Sequence, residues 1–106
     1  MIHFLRNDKN ETLLDLEVFT NDDGTPDLGV SIDIANYTDF LLSRDDDEQR
    51  QKIKFVFDKL SESRGWYWEV YRETINKNPT IKDVNSVIGL MVQSAGNVIK
   101  LGYVTD

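Results

Sequence analysis

The chain has 106 residues, of which 40% are hydrophobic and 29% charged, with a formal net charge of −7 and no cysteine. That length suits one hydrophobic core and is too short to feed two, and the composition is that of a chain that folds, so a single domain over residues 1–106 is expected. Lack of cysteine excludes disulfides, thiolate nucleophiles and sulfur-ligated zinc.

The acidity is uneven. Residues 1–48 hold 13 acids and 3 bases, whereas residues 49–106 hold 6 acids and 9 bases, so the two parts carry −10 and +3. An acidic surface repels phosphate backbones and attracts basic proteins, which points to a basic protein partner and away from direct nucleic-acid binding. The opening Met1-Ile-His-Phe-Leu-Arg has neither the basic end nor the apolar run of a secretory signal, and no apolar stretch is long enough to span a bilayer. A cytoplasmic protein without membrane contact is expected.

Residues Ile2 to Leu5 and Thr12 to Thr20 read as strands joined by Asn7-Asp8-Lys9-Asn10, whose side chains favour a turn. Leu14, Leu16 and Val18 alternate with Asp15 and Glu17, and in a third strand Val30, Ile32 and Ile34 alternate with Ser31 and Asp33, so each strand has one wet face. The segment Asn21 to Asp27 between them, with Gly24 and Pro26, reads as a loop at which both strands stop.

A short helical turn follows from Thr38 through Leu42. Ile53, Val56, Phe57 and Leu60 then form a helical stripe behind Asp45-Asp46-Asp47-Glu48, predicting a helix from about Asp46 to Ser63 with Gly65 as its cap. Trp66, Trp68 and Val70 alternate with Tyr67, Glu69 and Tyr71, which predicts a fourth strand with the tryptophans inside and the tyrosines outside. Thr80 and Asp83 have capping-box spacing, ahead of a helix burying Ile81, Val84, Ile88, Met91 and Ala95 and ending at Gly96. Asn97 to Thr105 reads as a last strand. The expected fold is α+β, in the order β-β-β-α-β-α-β, with one mixed or antiparallel sheet of about five strands covered by two helices.

Little here points to bond-making chemistry. His3 is the one histidine and has no neighbour in sequence to activate it, and neither a nucleophile elbow nor a glycine-rich phosphate loop occurs. Asp22, Asp23 and Asp27 share a loop, but setting Asp23-Gly24 at the fifth and sixth places of a calcium loop puts Phe19 first and Val30 twelfth, and neither can ligate. No metal and no cofactor are expected.

Surface chemistry is the better lead. Asp15, Glu17 and Asp33 should share the wet face of the sheet, where like charges on adjacent strands cost stability that a basic partner would relieve. Asp45, Asp46, Asp47 and Glu48 exceed what a helix start needs, and Tyr67 and Tyr71 beside Glu69 have the composition of an interface. These nine residues, Glu69 apart, make the expected partner-binding set. The expected function is a non-enzymatic inhibitor that neutralises a basic nucleic-acid-handling protein, of the immunity-protein or anti-defence type, the partner being a nuclease or a nucleoprotein complex. The alternative is a small accessory or assembly subunit, and an enzyme using two carboxylates and a metal ranks third.

Overall fold

A computed structural model describes all residues, Met1 to Asp106. Three strands come first: β1 (Ile2–Arg6), β2 (Thr12–Thr20) and β3 (Pro26–Ile32). They form an antiparallel meander through two tight turns. In the first, Asn7 Oδ1 accepts the backbone N–H groups of Lys9 and Glu11 at 3.0 and 2.9 Å, and Asn10 takes a positive φ of 62°. In the second, Gly24 takes a φ of 87° and Asn21 N–H donates to the Thr25 carbonyl at 2.8 Å. Pro26 does not lie outside the strands as expected but opens β3, opposite Thr20. Because β3 is an edge strand, a residue lacking N–H is tolerated there.

The third strand ends earlier than expected. Asp33 leaves the sheet and caps helix α1 (Ile34–Leu42), its carboxylate accepting Asn36 N–H at 3.0 Å. Ile34 therefore stands exposed on a helix instead of alternating into a sheet. Helix α2 (Asp47–Ser61) agrees with its apolar stripe, burying Ile53, Phe57 and Leu60.

Residues 66–71 depart most from expectation. After a single turn, α3 (Ser63–Trp66), the chain continues as a π-helix over Tyr67–Ile75, so Gly65 lies inside a helix and no strand forms. The closing bond, from Asn76 N–H to the Tyr71 carbonyl at 2.8 Å, has the five-residue reach of a π turn. Tyr67 and Tyr71 are buried and the tryptophans are half-buried, the reverse of the strand assignment, because a spacing of four puts both tyrosines on one helical side. Distant bonds hold them there: Tyr67 donates to the Pro26 carbonyl at 3.0 Å, and Trp68 Nε1 to Asp27 Oδ1 at 3.3 Å.

Helix α4 (Ile81–Ile99) begins with the complete Thr80–Asp83 capping box and runs through Gly96, stopping at Lys100, whose φ is 59°. The last strand, β4 (Gly102–Thr105), is correspondingly short. It pairs with β1, giving four strands in the order β3-β2-β1-β4, all antiparallel. The sheet is not mixed, because β4 returns from the helices to lie antiparallel beside β1.

Helices cover one side of this sheet. Leu5, Leu14, Leu16, Val18 and Leu28 meet Phe57, Tyr67, Ile88 and Val92 in one cluster of 17 buried residues. On the other side, Ile2, Phe4 and Asp15 are half-buried and Glu17 and Ser31 are exposed. No helix is long and apolar enough to cross a membrane.

Candidate protein-docking surface

Strand pairing sets the uncovered side in rows. Val104, Phe4, Asp15 and Ser31 lie across the four strands in one row, and Ile2, Glu17 and Gly29 form the next. Alternation sends Leu14, Leu16 and Val18 to the core, so Asp15 and Glu17 must face outward. They do, and they stand among apolar side chains: Phe4 and Ile2 are half-buried, and Phe19 and Val104 are exposed.

No cation neutralises either carboxylate. The protein's ion pairs are Arg50–Asp47, Lys59–Glu62 and Arg64–Asp27. Arg6, the cation on this face, has its guanidinium 4.7 Å from the Phe4 ring centre and its Nε bonded to Thr12 Oγ1 at 3.2 Å. Partial burial, and then the charge of Glu17, push the Asp15 carboxyl above the usual aspartate value.

Asp33 joins this region by a different route. Although it caps α1, it lines a shallow depression with Asp15, Phe4, Thr12, Ser31 and Ile32. Two of the three expected sheet-face acids thus border one hollow, the strand end having turned Asp33 into a helix cap.

The acids before α2 divide by task. Asp46 accepts Glu48 N–H at 3.0 Å as the N-cap, and Asp47 bonds Arg50 at 3.5 Å and Gln51 at 3.1 Å. All four of Asp45, Asp46, Asp47 and Glu48 are exposed. Tyr67 and Tyr71 are lost to any surface, being core residues, 0% and 7% exposed. The exposed apolar groups nearby are instead Val70 and Phe55, which alternation along a strand could not reveal.

In the loop after β2, the acids hold structure. Asp23 accepts the N–H and hydroxyl of Thr25 at 3.0 and 2.6 Å, and Asp27 is drawn into the core edge by Arg64 and Trp68. No group of three or more histidine, aspartate or glutamate side chains is placed to hold a metal ion.

His3 is buried between β1 and α4. Its Nε2–H donates to Asn85 Oδ1 at 3.3 Å, so Nδ1 accepts the Tyr103 hydroxyl at 2.8 Å. Gly89 permits this approach, since a Cβ there would lie 3.1 Å from the Tyr103 oxygen. Burial is the main reason the imidazole is held below its ordinary pKa of 6.5, outweighing the Asn85 bond that favours the cation. A lowered histidine pKa means the folded protein resists the proton, so stability is full above the ordinary value and falls as pH drops below it. Denaturation at about pH 7.5 and about pH 5.5 should show a larger loss in the wild type than in His3→Gln.

Comparison with family models, with curated proteins and with solved structures returned no match to this chain. The class defined here is therefore one of architecture: a two-layer α+β protein with a four-stranded antiparallel sheet, helices on one side and a partly apolar, acid-bearing face on the other.

Proposed function

We propose that this protein acts by binding a basic protein through its uncovered sheet face, and that the partner is a nucleic-acid-handling enzyme whose active surface is thereby blocked. The observation that carries the reading is the Asp15–Glu17 pair beside Phe4, neither carboxylate neutralised and Asp15 partly buried. In the free protein those charges repel each other, and a cation of the partner would remove that cost on contact. Enzymes that grip phosphate backbones present such cations. Asp33 extends the acidic patch, Phe4 and Ile2 supply apolar contact area, and Asp45 to Glu48 add to the long-range field that steers a basic partner.

The same apolar residues support a second reading, a subunit that assembles on this face without inhibiting anything. Salt separates the two, because charge-led binding weakens as salt rises and apolar assembly is nearly indifferent.

The test is affinity capture from the native cell with wild type and with a folded Asp15→Lys/Glu17→Lys variant, followed by titration of the captured partner. The double variant should lose about thirtyfold or more in affinity, equivalent to about 2 kcal/mol. The wild-type complex should loosen with salt and suppress the partner's nuclease activity. Equal affinity of both proteins would remove the sheet face from the proposal, and intact partner activity in a saturated complex would leave assembly as the function.

A further inference from the structure

On the helical side, where α2 begins and α4 finishes, the surface is notched. The notch is floored by Ile53 and Ile99 and rimmed by Arg44, Gln49, Lys52 and Lys100. Three basic side chains line it, in a protein of net charge −7, and no carboxylate does. Like charges gathered without an acid among them repel, so the arrangement is a standing electrostatic cost.

Neutralising acids are close in sequence and are turned elsewhere. Asp46 caps α2 and Asp47 pairs with Arg50. Glu48 precedes Lys52 by four residues, the spacing of a helical ion pair, yet the pair is not made. At the end of α4, the Gly96 carbonyl accepts the backbone N–H groups of Lys100 and Leu101.

Arg44 is the organised member. Its guanidinium stands 4.4 Å from the Phe40 ring centre, its own carbonyl is held by the Arg50 guanidinium, and its Nε is shut away from solvent with no hydrogen-bond partner. Held against Phe40, that guanidinium is already positioned at the rim, so it loses little freedom on meeting an anion.

We propose that this notch binds the oxyanion of a phosphate or phosphate monoester. A dianion with three terminal oxygens matches an arginine fork and two ammonium groups, with Gln49 as a further donor, whereas a carboxylate would leave part of the positive charge unanswered. The apolar floor suits the carbon side of an ester. The notch lies on the helical layer, on the side of the sheet opposite to the docking face, and the proposal stands independently of the partner reading.

The test is titration with inorganic phosphate and with adenosine 5′-monophosphate at ionic strength held constant with chloride, followed by calorimetry and by amide and arginine Nε resonances. Saturable shifts are expected at Arg44, Gln49, Lys52 and Lys100. Tighter binding of the nucleotide assigns the site to an ester, and equal binding assigns it to free phosphate. Lys52→Glu should weaken binding about tenfold or more, while Lys54→Glu, the same charge change on α2 away from the notch, should leave it within about twofold. Arg44→Gln should also weaken it, which guards against misfolding of a single variant. Shifts spread over all lysines, reproduced by chloride, or lost equally in Lys52→Glu and Lys54→Glu would overturn the proposal.

Discussion

Alanine at Gly96 should destabilise the protein by about 2 kcal/mol, and valine by about 3 kcal/mol or more, although alanine normally improves a helix by about 1 kcal/mol over glycine. The reason is space. A Cβ at Gly96 would lie 2.9 Å from the Leu101 carbonyl oxygen and 2.9 Å from Leu5 Cδ2. The first is backbone of the turn into β4, and the second belongs to a leucine with no exposed surface. Neither can yield without moving the junction of α4, β4 and β1, so overpacking outweighs helix propensity. Gly65 is the control, because nothing lies within 4 Å of a Cβ there and its backbone is helical. Gly65→Ala should therefore stabilise by about 0.5–1 kcal/mol. Urea denaturation of both variants, with slopes compared to exclude a change in compactness, reads out the opposite signs.

Asp27→Ala should cost about 3 kcal/mol, and Asp27→Asn distinctly less. Asp27 is 6% exposed and accepts from Leu28 N–H at 2.7 Å, Trp68 Nε1 at 3.3 Å, Arg64 at 3.3 Å and Asn21 at 3.4 Å. Alanine strands the less accessible of these donors, whereas asparagine keeps one acceptor oxygen. Arg64 is more than half exposed and can rehydrate, so its ion pair supplies little of the total. Burial alone would raise the Asp27 carboxyl, but the Leu28 amide, Arg64 and Asn21 together hold it below the ordinary aspartate value of 3.8. A depressed acid stabilises the fold above its unfolded pKa and stops doing so as pH falls through the folded one. Acid unfolding below about pH 4 should therefore be less steep in Asp27→Asn than in the wild type, as followed by tryptophan fluorescence.

Where local chemistry decided the structure, it was legible. The alternation around Asp15 and Glu17 placed both on the outer face, and the Thr80–Asp83 box located the start of α4. The failures have one origin, partners far along the chain. Trp66 to Tyr71 alternate as a strand would, but Tyr67 bonds a carbonyl 41 residues away and Trp68 an aspartate at the same separation. Those bonds favour a helical wrap against β3 over another strand. The four-residue spacing of Tyr67 and Tyr71 was the available sign. Asp33 failed differently, since an aspartate just before Ile34-Ala35-Asn36 is also a helix cap, and strand alternation hid it. The basic notch had no local signature, because Arg44, Lys52 and Lys100 meet only when α2 and α4 pack.

The placing of β1 between β2 and β4 bears on how the molecule assembles. Its pairing with β2 spans a short turn and can form early, but its other edge waits for residues 102–105. Throughout synthesis, and in the first stage of refolding, β1 therefore shows a row of free backbone groups flanked by Ile2 and Phe4, an invitation to pair with another chain. The slow, aggregation-exposed step should be the docking of α4 and β4 together, and weakening their junction, as at Gly96, should lower the yield of soluble protein more than its equilibrium stability implies.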